Sequence, residues 1–117
     1  MTLVLVVLLA FAPVAFAGSV SRTLLSAVGA TGASNAVDCS DMETKTVYIW
    51  AASVTTGATI EIQTSYDGTN YATISTQTVV ANGLTEVAIV GLYQKYLRVN
   101  VTAWTDGAYT VYFFGKN

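Results

Sequence analysis

The chain has 117 residues, of which 53% are hydrophobic and only 10% are charged, and its net charge is −2. It contains no histidine, one cysteine and five Lys and Arg residues. This composition excludes a His-based catalytic triad, a zinc site of His and Cys ligands, an internal disulfide and a broad basic surface for nucleic acid. The length predicts one domain, and the sequence predicts no cofactor.

The first 17 residues, MTLVLVVLLAFAPVAFA, carry no charged side chain and form an apolar leader. A secretory signal peptide fits the apolar stretch 3–11, the helix-breaking Pro13 and the small residues Ala15 and Ala17, which together predict cleavage before Gly18. One feature of a signal peptide is missing, because no Lys or Arg precedes the apolar stretch.

Two other interpretations of the leader stay open. A retained membrane anchor would be a helix of roughly 25 Å, shorter than the ~30 Å hydrocarbon core of a bilayer. A retained assembly arm would bury its apolar side chains on its own domain or on a neighbouring subunit. The arm residues would include Leu3, Leu5, Val7 and Leu9.

From residue 20 onward apolar and polar residues alternate with period two, which is typical of β-strands, and no stretch shows sustained helical spacing. In the second strand Val47 and Ile49 share one face, while Tyr48 and Trp50 share the other. Because Trp50 is central in its strand, we expect it to pack in the core. The predicted strands cover residues 20–28, 44–53, 58–66, 71–80, 84–90, 96–103 and 108–114.

Three dipeptides, Asp67-Gly68, Asn82-Gly83 and Asp106-Gly107, lie between alternating runs. Each pairs a residue that tolerates the left-handed conformation with a glycine, so each predicts a β-hairpin. Seven to eight short strands at regular spacing predict an all-β fold. Residues 18–117 are expected to form a single antiparallel β-sandwich, immunoglobulin-like or jelly-roll-like.

The segments TLLSAVGATGASNAVD, TKTVYIWA, ATIEIQTSYDGTNYATI and KYLRVNVTAWTDGAYTVYFFG resemble a group of small β-sandwich proteins encoded by tailed phages and prophages. The similarity extends from Thr23 to Gly115. It implies a virion-associated or surface-displayed structural domain, such as a capsid-decoration or fibre component. The resemblance brings no catalytic residues with it.

Exposed aromatic residues are the candidate site residues. Tyr66 and Tyr71 flank the Asp67-Gly68 turn, where they would either stack on a sugar ring or simply pair across a plain hairpin capped by Asp67. A second group would form an aromatic patch at one end of the sandwich, placed either in the core or at an interface. Its members are Tyr93, Tyr96, Trp104 and Tyr109.

Two further features have simple interpretations. Asp38, Asp41 and Glu43 could supply a weak calcium site, but they lack the glycine and the spacing of a calcium loop, which favours a solvated acidic turn. Cys39 lies next to a carboxylate, which raises a thiol pKa. We therefore expect a buried and inert thiol.

The predicted function is that of a non-enzymatic structural protein in a virion or on an extracellular or cell surface. A surface poor in charge favours subunit contacts, either self-association or a place in a larger shell, fibre or filament. The acidic residues are scattered and show no catalytic pair. Nucleic acid is not expected as a partner, and a membrane is expected only through the leader. The alternative is an exported module that binds glycans or cell surfaces.

Overall fold

A computed structural model describes residues 19–89 and 94–116, and these residues fold into nine β-strands in two antiparallel sheets. The predicted fold class is therefore confirmed. The described part of the chain contains no helix long and apolar enough to cross a membrane. The strands are β1 (Ser19–Val28), β2 (Gly32–Ala33), β3 (Val37–Asp38), β4 (Thr44–Ala52), β5 (Ala58–Ser65), β6 (Tyr71–Val79), β7 (Gly83–Ile89), β8 (Tyr96–Trp104) and β9 (Ala108–Lys116).

The first sheet has the strand order β1-β9-β4-β7, and the second has the order β2-β8-β5-β6, with β3 also paired to β8. Seven strands match the predicted ones closely. The remaining two, β2 and β3, have two residues each, too few to produce an alternating pattern that sequence analysis can detect.

The hydrophobic core lies between the two sheets and takes the apolar face of each long strand. The predicted inward face of β4 is confirmed, because Val47 and Ile49 are fully buried. β5 contributes Ile60 and Ile62 in the same way. The other fully buried large side chains are Leu97, Val99, Val101, Tyr109, Val111 and Phe113.

Only one of the three glycine turns closes a hairpin. Asp67-Gly68 joins β5 to β6, which are paired neighbours in the second sheet. Asn82-Gly83 instead connects β6 to β7, and Asp106-Gly107 connects β8 to β9, so each leads the chain from one sheet to the other. The hairpin prediction is therefore wrong for these two turns. A glycine turn reverses the chain, but period-two strands present the same apolar face whether the next strand lies beside them or across the core.

Trp50 is not in the core, and the expectation that it packs there is wrong. Its ring lies on the outer face of the first sheet with 48% of its surface exposed. The cause is the alternation along β4, because burying Val47 and Ile49 turns Tyr48 and Trp50 to the opposite face. Among the described residues, no further layer covers that face.

Candidate interaction surface

A group of large apolar and aromatic side chains lies on the outer face of the first sheet, where strands β9, β4 and β7 run side by side. Directly opposed residues on antiparallel neighbours project to the same side. Trp50 is opposite Leu84 on β7, and Tyr48 is opposite Tyr112 on β9. Phe114 follows two positions after Tyr112 on the same face. We call Tyr48, Trp50, Leu84, Tyr112 and Phe114 the aromatic face.

The aromatic face is open to solvent although its members are large. Leu84 is 59% exposed, Phe114 45% and Tyr112 39%. The Phe114 and Tyr48 rings pack edge to face, with centroids 5.5 Å apart and planes at 82°. A contiguous exposed patch of this kind is typical of an interaction surface rather than of a monomer's solvent surface.

One acidic residue lies within the aromatic face. The Tyr48 hydroxyl donates a 2.9 Å hydrogen bond to the Glu86 carboxylate. This bond, with the neighbouring negative charge, raises the pKa of Tyr48. The phenol therefore stays protonated at neutral pH and acts as a donor. The face combines a large apolar area with one fixed polar pair, as the centres of protein interfaces do.

The outer face of the second sheet is different, because its polar groups bind one another. Thr73 donates a 2.7 Å hydrogen bond to Glu61, and Gln63 donates one of 3.1 Å to the same carboxylate oxygen. Arg98 donates to the Gln63 amide oxygen at 2.8 Å. Its guanidinium group also lies 3.8 Å from the centre of the Tyr71 ring. One side of Tyr71 is thus covered, and this face offers less free apolar area than the first sheet.

The Asp67-Gly68 turn closes the hairpin between β5 and β6, and Asp67 caps it. The Asp67 carboxylate accepts hydrogen bonds from the backbone N–H groups of Asn70 and Thr69, at 2.8 and 2.9 Å. These bonds hold the pKa of Asp67 well below its usual range. Tyr71 is opposite Ser65 rather than Tyr66, so the predicted tyrosine pair does not form. Tyr66 is 78% exposed beside the turn.

The predicted aromatic patch at one end of the sandwich does not form. Tyr96 and Trp104 occupy opposite ends of β8, about 26 Å apart at ~3.3 Å per residue. Tyr109 is fully buried at 0% exposure, and its hydroxyl donates a 2.7 Å hydrogen bond to the Asp106 carbonyl. Trp104 is partly exposed, and its indole N–H donates to the Gly107 carbonyl at 2.9 Å. Tyr93 and the arm residues Leu3, Leu5, Val7 and Leu9 lie outside the described residues.

The aromatic face was not predicted from the sequence, although a signal was present. Both β4 and β9 carry two aromatic residues at alternate positions, Tyr48 and Trp50 in one and Tyr112 and Phe114 in the other. Each pair projects to one side of its own strand. The sequence does not show that these two strands are adjacent and in a register that brings the pairs together.

The acidic turn and the cysteine have structural roles. The Asp38 carboxylate accepts hydrogen bonds from the Ser40 hydroxyl and backbone N–H, at 2.7 and 3.1 Å, and these lower its pKa. Among residues 19–89 and 94–116, no group of three His, Cys, Asp or Glu side chains is placed to hold a metal ion. Cys39 is buried as expected, and desolvation raises its pKa. Its thiol donates to the Gln94 carbonyl at 3.1 Å.

The fold and the surface together define a small all-β sandwich with an exposed aromatic sheet face. Its core lies between the two sheets, and aspartate carboxylates hold its turns by hydrogen bonds. The chain belongs to the family described as "Domain of unknown function (DUF6385)", whose model matches residues 38–116. No curated protein sequence matches the chain.

Two solved structures share the fold at low sequence identity. The SPBc2 prophage-derived protein YomS is 15% identical, with a TM-score of 0.65, and the match covers 85% of this chain and 93% of that one. A chain from the Bacillus endospore appendages, described as a novel family of disulfide-linked pili, is 14% identical, with a TM-score of 0.51. That match covers 85% of this chain and 82% of the other. At these identities the likeness establishes the fold alone.

Proposed function

We propose that this chain is a non-enzymatic structural subunit that assembles with copies of itself, or into a larger virion or surface structure, through its sheet faces and edges. The observation that carries the proposal is the aromatic face, where Trp50, Leu84 and Phe114 each expose more than two fifths of their surface. Burial of side chains of this size contributes roughly 1.5–3 kcal/mol each. A subunit contact supplies that burial.

The low charge of the chain supports the same proposal. Only 10% of the residues are charged, whereas a free soluble monomer usually carries more charge on its surface. Structural neighbours named as a prophage-derived protein and as pilus appendages support a place in a virion or on a cell surface. They also agree with the phage-like resemblance of the sequence.

The environment of the carboxylates supports a non-enzymatic role. Asp67 and Asp106 each accept backbone N–H hydrogen bonds from a turn, and these bonds lower the pKa of both groups. A general acid at neutral pH needs a raised pKa instead. These carboxylates therefore stabilise turns and are poorly suited to transfer protons.

The aromatic face gives a direct test. The double variant Trp50→Ser with Phe114→Ser should remain folded, because both side chains are exposed, and it should assemble less than the natural chain. Tyr66→Ser is the control, since it removes an even more exposed aromatic ring that lies outside the aromatic face, on the hairpin. Light scattering and electron microscopy measure assembly. Unchanged assembly of the double variant would contradict a contact at the aromatic face, and a natural chain that stays monomeric at high concentration would contradict self-assembly.

The apolar leader, residues 1–17, also has a proposed part in assembly. A retained segment 1–17 would act as an assembly arm, whereas cleavage before Gly18 would leave assembly to the domain. The intact mass of the naturally produced protein distinguishes the two forms. Full-length chains are expected to assemble more than chains that begin at Gly18, and equal assembly of both would show that the leader has no part in it.

The alternative function is glycan or cell-surface binding at the hairpin. Tyr66 favours it, because its exposed ring lines a groove with Asn70, Gln94 and Lys95 that offers both stacking and hydrogen-bonding groups. A glycan array with the natural chain and the Tyr66→Ala variant tests this function. Saturable binding that disappears in the variant would support it over the structural role.

A further inference from the structure

The exposed edges of the two sheets are unequal. Proteins protect sheet edges with bulges, inward-pointing charges or very short strands. On β1, the pairing with β9 shifts register twice. Arg22 on the same strand is directly opposite the buried Phe113, so this charged residue occupies an inward-facing position of the edge strand. On β6, the pairing with β5 is interrupted at Ile74, which has no opposite residue. β2 and β3 have only two residues each.

Strand β7 has none of these protective features. All seven of its residues, Gly83–Ile89, pair with β4 in continuous register without a bulge. It contains no proline, and its single charged residue, Glu86, points outward and accepts a hydrogen bond from Tyr48. Leu84 on this strand is 59% exposed. Among the described residues, β7 is the one regular and unprotected edge.

We propose that β7 is the docking edge for a second copy of the chain, and that residues 3–9 of that copy add to it as an antiparallel strand. This inference rests on the proposed function and specifies its contact. Residues 3–9, LVLVVLL, match the seven residues of β7 in length and contain no charge, glycine or proline. A strand that is apolar on both sides suits a position with both faces buried.

Both faces of the added strand would find apolar neighbours. One set of alternate side chains would lie beside Leu84 and extend the aromatic face. The other set would pack on the inner side near Val87, which is half-buried and contacts the core. Pairing of two β7 edges centred on Glu86 would instead place two carboxylates directly opposite each other, which is destabilising. The uncharged arm avoids this repulsion.

The point where the leader joins the domain and the docking edge β7 belong to opposite edges of the first sheet. The leader joins the domain at Ser19, which pairs with Lys116 at the β1 edge. β9 and β4 separate that edge from β7, a distance of roughly 14 Å for three strand spacings. An arm that docks on another chain's edge propagates into a ring or a filament when each chain binds a new partner, and closes as a symmetric dimer when two chains exchange arms.

Cross-linking between full-length chains tests the inference. One chain carries Val4→Cys, which is opposite position 88 when residues 3–9 pair with Gly83–Ile89, and the other carries Ala88→Cys on β7. Both chains also carry Cys39→Ala, and a short bis-maleimide joins them. Ala88 is exposed on its strand. The matched control replaces Ala88→Cys with Thr76→Cys, an exposed position on the β6 edge. The β7 pair should give roughly tenfold more cross-linked heterodimer than the β6 pair, because docking raises the local concentration of the two thiols.

Light scattering of the same samples separates this inference from the broader proposal. Assembly without preferential cross-linking at β7 would overturn the docking edge and leave the structural function standing. A monomeric full-length chain would overturn both the docking edge and self-assembly. Preferential β7 cross-linking together with assembly supports both.

Discussion

Asp106 and Gly57 bind each other in both directions. The Asp106 carboxylate accepts a hydrogen bond from the Gly57 N–H at 2.9 Å, and the Gly57 carbonyl accepts one from the Asp106 N–H at 3.4 Å. The same carboxylate accepts bonds from the N–H groups of Thr55 and Thr56, at 3.0 and 2.9 Å. One aspartate therefore ties the turn that leads into β5 to the turn that leads into β9, where both turns cross between the sheets.

Replacing Asp106 should loosen this end of the sandwich. Asp106→Ala removes the acceptor for three backbone N–H groups, so the melting temperature should fall by several degrees. Glu86→Ala is a suitable control, because that carboxylate accepts a hydrogen bond from a side chain and none from a turn. Differential scanning calorimetry makes the comparison. Equal melting temperatures for the two variants would contradict the assigned role.

The same carboxylate predicts a pH dependence. Backbone hydrogen bonds from Thr56 and Thr55 lower the folded-state pKa of Asp106. Because the folded-state pKa is lowered, Asp106 takes up its proton at a higher pH in the unfolded chain than in the folded chain as the pH falls. The stabilisation is present at neutral pH and is lost as the pH falls below about 5 towards the folded-state pKa. Urea unfolding at several pH values should show a steeper acid loss of stability in the natural chain than in Asp106→Asn.

Gly57 should be far less replaceable than Gly83. Both have positive φ angles, +116° and +134°, in a range that L side chains rarely adopt. A side chain at Gly57 would also overlap the Val79 carbonyl oxygen, whereas a side chain at Gly83 would meet nothing within 4 Å. Gly83→Ala should therefore cost about 1–3 kcal/mol of unfolding free energy from backbone strain.

Gly57→Ala carries the same strain and the overlap in addition. Its cost should exceed ~4 kcal/mol, the range of severe core disruptions. Denaturant unfolding of the two variants measures the difference. Similar costs for both would show that the turn can shift away from Val79.

Cys39 should be unreactive in the folded protein. Desolvation raises its thiol pKa, and the side chain is buried against Gln94. A thiol reagent at neutral pH should modify it at least about tenfold more slowly in the native chain than in denaturant, because the thiolate is the reactive form. A chain with Cys39→Ala and Thr69→Cys, which places a thiol in the exposed hairpin, controls for the reagent. Rapid labelling of native Cys39 would contradict its burial.

Trp50 should report assembly by its fluorescence. The chain has two tryptophans, so Trp104→Phe leaves Trp50 as the sole reporter. Trp50 is 48% exposed in the single chain, and burial in a subunit contact should shift its emission to shorter wavelength and reduce acrylamide quenching by at least about twofold. The matched variant Trp50→Phe, which leaves Trp104, should change less. A concentration series without any change in Trp50 emission would argue against a contact at the aromatic face.

Part of the site was determined by local sequence and part by strand pairing. The Asp67 turn follows from Asp, Gly and neighbouring polar residues alone, because its hydrogen bonds stay within six residues. The burial of Cys39 also agreed with its expected inertness. The aromatic face depends on the adjacency of β9, β4 and β7, which are distant in the chain. Alternation shows which side of a strand a residue occupies, but it carries no information about which strand lies next to it.

The sequence by itself determined the seven long strands and the inward face of β4, because period-two alternation is a local property of the backbone. Tertiary structure decided which sheet each strand joined, so two glycine turns became crossings between sheets rather than hairpins. It also decided which aromatic residues were exposed: Tyr109 packs beneath the Asp106 turn, while Trp50 faces outward. The physical reason is that burial depends on the layer that lies against a face, and that layer comes from residues far away in the chain.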